Sequence, residues 1–274
     1  MSHSIVIAAF YKFVPLPDFR EIQKPLRAIC EEHNMKGTVL LAAEGINGTI
    51  AGTRQDMDAV LAYMRSDERL ADLLHKESYA DSQPFRKMKV RLKREIVTIG
   101  EDVNPNEIVG TYVDPHKWND LIADPNVILI DTRNSYEYEV GTFKGAIDPL
   151  TNSFGDFPAY VREQLADQKD KKIAMFCTGG IRCEKATSLL LREGFQNVYH
   201  LHGGILNYLE KVPQSQSLWE GNCFVFDERI TVTHDLEPGN VQFCRGCNRV
   251  VPSGEDMCPH CHQPLTEGEL PSEA

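Results

Sequence analysis

The stretch KKIAMFCTGGIRCEKATSLLLREGF, Lys171–Phe195, runs from an apolar segment through a cysteine and two glycines into a helical pattern. Its first part, KIAMFC (172–177), is almost wholly apolar, which is typical of a parallel strand covered on both faces. The following EKATSLLLREGF has the apolar spacing of a helix that packs on one side. The stretch therefore predicts a parallel α/β domain with Cys177 at the carboxyl end of a strand, where open α/β sheets hold their ligands.

The segment between Cys177 and the helix has the composition of an anion-binding loop. Glycines permit unusual backbone angles, so that successive peptide N–H groups can surround a negatively charged sulfur. The helix start and Arg182 add positive potential, which lowers the pKa of a thiol. We therefore predict a catalytic thiolate at Cys177; the alternative is a glycine-rich turn around a small buried cysteine. The predicted active-site loop comprises Thr178, Gly179, Gly180, Ile181, Arg182 and Cys183.

A second apolar run, NVILIDTR (126–133), leads into charged residues that we assign to the same site. Because parallel strands end at one edge of their sheet, Asp131, Arg133 and Glu137 are expected near Cys177. We interpret them mainly as a buried ion-pair network that supports the loop. Strand and helix patterns alternate from 115 to 212, which bounds the α/β domain.

Residues 1–98 follow the order strand, helix, strand, strand, helix, strand. SIVIAAFYKFV begins the unit, and RKMKVRLKREIVTI is interpreted as its closing strand. The order predicts an α+β, ferredoxin-like (acylphosphatase-like) two-layer sandwich. Turn-forming residues without a sustained period make 99–114 the expected linker.

The run RKMKVRLKRE (86–95) alternates apolar and basic residues. Successive strand residues point to opposite faces, so the cations are expected on the face away from the core. An ordinary solvated strand face is the alternative. We predict an RNA-binding surface, because the run is the densest basic stretch of an acidic chain and two-layer units of this kind bind RNA on their sheets. Its members are Arg86, Lys87, Lys89, Arg91, Lys93 and Arg94.

The C-terminal extension, 213–274, carries two C-x-x-C pairs. Two such knuckles bring four thiolates together, which is the ligand set of a structural zinc site. The alternative is a mobile tail with two reduced thiol pairs. The predicted zinc ligands are Cys244, Cys247, Cys258 and Cys261.

The composition is that of a globular protein of 274 residues with a net charge of −11. The acidic balance argues against non-specific nucleic-acid binding but leaves room for a local basic face. No apolar run approaches the roughly 20 residues that span a bilayer. The N-terminus lacks the features of a signal peptide, so we expect a cytoplasmic protein without a membrane partner.

Three stretches in order, around Asp131–Glu137, around Cys177 and at YHLHGGILNYLEKV (199–212), resemble the rhodanese family. Rhodanese-like phosphatases place five residues between the cysteine and the arginine. Here four residues separate Cys177 from Arg182, and a tetrahedral phosphate needs the larger cradle. A phosphatase is therefore disfavoured.

Together with AAEGINGTIAG and GNCFVFDERITV (221–232), the loop CTGGIRCEKA resembles the bacterial rhodanese-containing tRNA wobble-uridine hydroxylases. That resemblance implies formation of 5-hydroxyuridine in tRNA with molecular oxygen as co-substrate, dependent on Cys177. No flavin fingerprint or two-histidine, one-carboxylate iron set is readable, and no organic cofactor is identified. Two alternatives stay open: a sulfurtransferase that carries persulfide on Cys177 between a sulfur donor and acceptor, and a non-enzymatic RNA-binding module. Cys183 is either a resolving thiol or a small packed residue.

Overall fold

The structure of the protein, a computed structural model, describes residues 4–247 and 249–265. The chain divides into two compact units, 1–98 and 99–274. Each unit is described by itself below.

The first unit is a five-stranded sheet with two helices packed on one face. The strands have the order β4-β1-β3-β2-β5. The ferredoxin-like arrangement predicted from the sequence is confirmed by the first four of these strands and both helices. The elements are β1 (Ile5–Phe13), α1 (Phe19–Glu32), β2 (Lys36–Ala42), β3 (Gly45–Gly52), α2 (Arg54–Arg65), β4 (His75–Ala80) and β5 (Met88–Leu92).

The strand that closes the ferredoxin-like order is β4, which pairs antiparallel with β1. The assignment of this role to RKMKVRLKREIVTI was wrong, because that stretch forms β5, an additional strand parallel to β2 at the opposite edge. The sequence of β4, HKESYA, offers no apolar alternation, since most of its side chains are only partly buried. Backbone pairing to β1 therefore defines this strand.

The second unit is built around a four-stranded, wholly parallel sheet with the order β6-β10-β9-β7. Helices flank the sheet, as the α/β prediction requires, and that prediction is confirmed. The elements are β6 (Thr111–Val113), α3 (Pro115–Ile122), β7 (Val127–Asp131), α4 (Ser135–Tyr138), β8 (Gly141–Phe143), α5 (Phe157–Gln164), β9 (Lys172–Phe176), α6 (Ile181–Arg192), β10 (Asn197–Leu201) and α7 (Gly204–Lys211).

Segments on both sides of this α/β region contribute to its structure. The expected linker, 99–114, holds the edge strand β6, and Gly110 N donates to Thr187 Oγ1 at 3.0 Å. After α7, strand β11 (Trp219–Gly221) pairs antiparallel with β8, and Trp219 joins the same core as Phe143 and Phe176. Phe143 meets Phe176 edge-on with ring centroids 4.8 Å apart, which locks β8 against the sheet.

The remaining chain forms two small hairpins. Strands β12 (Cys223–Phe224) and β13 (Thr231–Val232) make the first, and β14 (Val241–Cys244) and β15 (Arg249–Pro252) make the second. The cysteine-rich segment predicted at the C-terminus is confirmed as a cluster of four cysteines, two in the second hairpin and two in the segment that follows it. Among the described residues, no helix has the length and apolarity needed to cross a membrane.

Candidate active site

The loop after β9 holds Cys177 in a fully buried position, with no exposed side-chain surface. The backbone N–H of Gly180 turns back and donates to the Cys177 sulfur over 3.2 Å. Gly180 reaches this position with φ at +103°, a left-handed conformation that favours glycine, and helix α6 begins at the next residue. The local sequence therefore aims a peptide dipole and a helix N-terminus at one sulfur.

The surroundings of Cys177 favour its ionised form. Burial alone would raise the pKa of the thiol, but a hydrogen bond from the Cys183 thiol, the charge of Arg182 and the amides of Cys183 and Gly180 lower it to about 6. Burial and the neighbouring sulfur raise the pKa of Cys183 instead. Within the pair, the negative charge is therefore favoured on Cys177 and the proton on Cys183.

The positive charge of Arg182 lowers the pKa of Cys177, and the Arg182 side chain is itself held by buried hydrogen bonds. Its guanidinium donates to both carboxylate oxygens of Glu137, at 2.6 and 2.9 Å, and to the hydroxyl of Thr178 at 3.3 Å. Glu137 is fully buried, and although burial would raise its pKa, Arg182 holds that pKa below its ordinary value. This ion pair fastens the first turn of α6 to α4 and fixes the loop between them.

Asp131 and Arg133 form a second buried ion pair at the same edge of the sheet. Arg133 donates to Asp131 through Nε at 2.9 Å and Nη2 at 2.6 Å, and to the carbonyl of Gly141 at 2.6 Å. The guanidinium carbon lies 5.2 Å from the ring centre of Trp219. These contacts tie β7 to β8 and β11.

Gly204 and Thr132 also shape the loop, although neither was expected from the sequence to have a role. The first turn of α7 donates from Ile205 N to the carbonyl of Cys177 at 2.9 Å and from Leu206 N to that of Thr178 at 3.1 Å. Gly204, with φ at +69°, comes so close that a Cβ there would lie 2.5 Å from the Cys177 carbonyl oxygen. The Gly-Gly dipeptide between a strand and a helix was the visible signal for this close approach.

Thr132 contacts the loop from the neighbouring strand. Its hydroxyl donates to the carbonyl of Phe176 at 3.0 Å and lies 3.5 Å from the sulfur of Cys183. Ile181 begins α6 and is buried beneath the loop, whereas Gly179 is partly exposed and an added Cβ there would meet nothing within 4 Å. Gly179 therefore marks the open side of the loop.

Four cysteine sulfurs converge on the second small hairpin, all within 4.8 Å of one another. Two of the distances are 3.5 Å, from Cys244 to Cys261, and 3.6 Å, from Cys247 to Cys258. Tetrahedral thiolates at about 2.3 Å from a zinc ion lie about 3.8 Å from one another, so the set fits this metal.

The basic run lies on the edge strand β5. Met88, Val90 and Leu92 face the helices and the core of the first unit. Strand alternation places Lys87, Lys89, Arg91 and Lys93 on the opposite face. Lys87 and Arg91 are exposed, Lys89 and Lys93 are partly buried, and Arg86 and Arg94 flank the strand in exposed positions. These six residues, 86, 87, 89, 91, 93 and 94, are called the basic strand below.

Comparison with known families matches each unit separately. Residues 5–96 match the UPF0176 acylphosphatase like domain, and residues 114–211 match the rhodanese-like domain. The two matches occur in the order that the fold shows, and they cover the sheet that carries the basic strand and the loop that carries Cys177.

A curated relative matches nearly the whole chain. The tRNA uridine(34) hydroxylase of Picosynechococcus sp. is 55% identical over 271 residues, which covers 95% of this chain and 91% of the relative. Among solved structures, a rhodanese-like domain from Anabaena sp. is 22% identical, with 40% of this chain and 78% of that chain covered and a TM-score of 0.34. A human single-domain sulfurtransferase is 20% identical over 38% of this chain and 99% of that chain, with a TM-score of 0.33.

Proposed function

The chain belongs to the tRNA uridine(34) hydroxylase family, and we propose that it converts the wobble uridine of tRNA to 5-hydroxyuridine with the thiolate of Cys177 at the reaction centre. The single observation that carries the assignment of the site is the buried Cys177 sulfur, which accepts a hydrogen bond from the Gly180 amide at 3.2 Å in surroundings that lower the pKa of its thiol. The enzyme is accordingly an oxidoreductase. Molecular oxygen is the proposed co-substrate, since it supplies the new hydroxyl oxygen.

The residues of the loop divide into those that act on the sulfur and those that hold the loop. The amides of Gly180 and Cys183 stabilise the negative charge, as an oxyanion hole stabilises an oxygen. Arg182, Glu137 and Thr178 hold the loop's two ends in register through buried hydrogen bonds. Asp131 and Arg133 hold the neighbouring strand. Because the sulfur is enclosed, the loop has to open at Gly179 before a uracil base can reach it.

We assign tRNA binding to the basic strand. Register places Lys89 beside Thr38, and Thr38 beside Thr49 on the next strand, so the cations border the sheet face that lacks helices. The cations at alternate positions of β5 share one strand face, so that several of them can contact phosphates of one backbone at the same time. Phosphate contacts dominate nucleic-acid affinity. The acidic remainder of the chain confines the attraction to this face.

The four-cysteine cluster is the proposed site of a structural zinc ion. Cys244, Cys247, Cys258 and Cys261 would hold the ion with four thiolates, which leaves no open position for a substrate. Bound zinc would cross-link the hairpin, through Cys244 and Cys247, to the segment that follows it, through Cys258 and Cys261. Elemental analysis of metal-replete protein should give one zinc per chain. We place the enzyme in the cytoplasm, where tRNA is modified and thiols stay reduced.

A sulfurtransferase that carries persulfide on Cys177 is the second candidate, because the same amides that hold a thiolate would hold a persulfide anion. Nucleoside mass spectrometry of tRNA from cells with and without the gene separates the two. Loss of 5-hydroxyuridine-derived nucleosides supports the hydroxylase. Loss of a thiolated nucleoside with 5-hydroxyuridine unchanged would instead establish sulfur transfer.

A further inference from the structure

Cys183 lies against Cys177 inside the loop, in the first turn of α6. Both side chains are fully buried, five residues separate them along the loop, and each thiol influences the pKa of the other. The Thr132 hydroxyl contacts Cys183 from the other side at 3.5 Å. The loop thus encloses two neighbouring thiols, where a single nucleophile would need only one.

Hydroxylation by molecular oxygen requires more electrons than the uracil carbon provides. Insertion of one oxygen atom into the C5–H bond accounts for two of the four electrons that reduce O2 completely. The other oxygen atom has to leave as water, which takes two further electrons and two protons. Two thiols that become a disulfide release two electrons and two protons.

We propose that Cys177 and Cys183 are the two-electron reductant of the hydroxylation and that each turnover ends with a disulfide between them. The inference rests on the proposed hydroxylase function. In net terms, C5–H, O2 and two thiols become C5–OH, water and one disulfide. The C5–H and O–O bonds break, and the C5–O and S–S bonds form.

The roles of the two sulfurs follow from their environments. O2 adds at C5, the C5–H bond breaks, and its hydrogen passes to the outer oxygen to give a hydroperoxide. The Cys177 thiolate then attacks this outer oxygen, the O–O bond breaks, and the uracil oxygen leaves with the electron pair. Cys177 is then a sulfenic acid. Cys183 attacks this sulfur, the S–O bond breaks, and the oxygen leaves as water with the proton from Cys183. The sulfenic hydroxyl keeps the hydrogen of the hydroperoxide, and the uracil oxygen takes from solvent the proton that Cys177 released when it ionised.

The loop is suited to closing this bond. A disulfide needs the two sulfur atoms to approach to about 2.05 Å. Gly179 and Gly180 lie between the two cysteines, and Gly179 has open space around it, so the backbone can yield there. A disulfide would remove the negative charge that the amides of Gly180 and Cys183 stabilise. Reduction by a soluble dithiol restores the charged pair and readies the enzyme for the next turnover.

A single-turnover experiment tests the inference. Reduced, metal-replete full-length protein is freed of reductant, mixed in air with an unmodified tRNA transcript that carries uridine at the wobble position, and quenched by alkylation. Nucleoside mass spectrometry measures 5-hydroxyuridine, and peptide mass spectrometry without reduction measures the Cys177–Cys183 disulfide. We expect the two to rise together in equal amounts, to stop at one per chain, and to resume when dithiothreitol is added.

Two variants sharpen the test. Cys183→Ser should make at most one 5-hydroxyuridine per chain and leave Cys177 as a sulfenic acid that dimedone traps. Cys30→Ala, which removes a buried thiol of the first unit, should behave as the wild type. Product beyond one per chain without reductant, or product without the disulfide, would overturn the dithiol role and leave the hydroxylase function standing. No product with or without dithiothreitol would overturn both.

Discussion

The second unit places cysteine thiols in two different environments: the loop after β9, with Cys177 and Cys183, and the four-cysteine cluster at the second hairpin. The two environments differ in how much hydrophobic core surrounds the thiols. Cys177 and Cys183 sit beside a large core that includes Phe143 and Phe176, which is complete without them. The hairpin cluster has almost no other core, since Val251 is its one fully buried aliphatic neighbour among the described residues. Under the proposed function, the core fixes the backbone around Cys177 and leaves its thiol available for chemistry. The hairpin cluster, which has little core, would be held together by the proposed zinc ion.

Among the variants that test how the core fixes the loop, we expect the largest loss of hydroxylation rate from Gly204→Ala. An alanine Cβ would meet three backbone atoms of the loop at 2.5–2.7 Å, from Cys177, Thr178 and Gly180, and none of them is a flexible side-chain end. The loop has to shift, and a shift of about 1 Å at a reacting group costs on the order of a hundredfold in rate. Hydroxylation of tRNA by the purified variant measures the loss.

Gly145→Ala is the matched control. Gly145 also has a left-handed backbone, with φ at +82°, but nothing lies within 4 Å of an added Cβ. We expect it to lower the free energy of unfolding by about 1 kcal/mol and to leave hydroxylation intact. Equal activity of the two alanine variants would show that α7 does not position the loop.

Removal of the metal should have the next largest effect, confined to the hairpin. Chelation should abolish the protection of the β14 and β15 amides against hydrogen exchange, because few apolar contacts remain to hold them. The amides of β9 and α6 should keep their protection. Hydrogen-exchange mass spectrometry with and without zinc makes the comparison, and a hairpin that stays protected after complete removal of zinc would contradict the structural role.

Charge removal from the basic strand should have a smaller effect, on binding alone. With Lys87, Lys89, Arg91 and Lys93 replaced by Gln, tRNA affinity should fall because fewer counterions are released on binding. The slope of log affinity against log salt should decrease by about 0.7–0.9 for each phosphate that the variant no longer neutralises. Thermal stability should change little, because these side chains face away from the core.

A control variant with the same change of charge tests whether position matters. It replaces four exposed cations of the second unit by Gln: Lys117, Lys171, Arg192 and Lys211. We expect this variant to keep most of the tRNA affinity and salt dependence. An equal loss of affinity in both variants would mean that net charge, and not the basic strand, sets the affinity.

The smallest expected effect is the pH dependence that comes from ionisation of the Cys177 thiol. The thiolate absorbance of wild type minus Cys177→Ser should titrate near pH 6, not near the ordinary thiol value of about 8.5. Since the folded pKa lies below the unfolded one, ionisation stabilises the fold fully above the unfolded pKa, and this contribution is lost as the pH falls through 6. A midpoint above about pH 8 would show that burial outweighs the amides and Arg182.

Apolar patterns were sufficient to predict the parallel sheet, whose strands are continuous apolar runs, and the helix after Cys177, which buries one side. They were also sufficient for the first three strands and both helices of the ferredoxin-like order. They could not identify β4, whose HKESYA sequence is held at a sheet edge by backbone pairing to β1. The strand β6 escaped prediction for a similar reason, since Thr111 and Tyr112 are exposed. Short edge strands carry little hydrophobic signal.

The sequence predicted those features of the site that arise from residues close together in the chain. It did not predict the contacts between residues that are far apart in the chain. The loop around Cys177 is local, so glycines, Arg182 and the helix start were sufficient to indicate a thiolate. The partner of Arg182 is Glu137, which lies in another helix, and the close approach of Gly204 comes from α7. Such contacts depend on the packed sheet, which places the ends of β7, β9 and β10 at one edge.

Hydroxylation by Cys177→Ser tests the central claim most directly. Serine keeps the size of the side chain but is not ionised at neutral pH, so the variant should fold, bind zinc and bind tRNA as the wild type does. In cells that lack the chromosomal gene and express the variant at the wild-type level, nucleoside mass spectrometry should find no 5-hydroxyuridine-derived nucleosides in tRNA. Wild-type amounts of these nucleosides in the variant would contradict the account and place the reaction away from this loop.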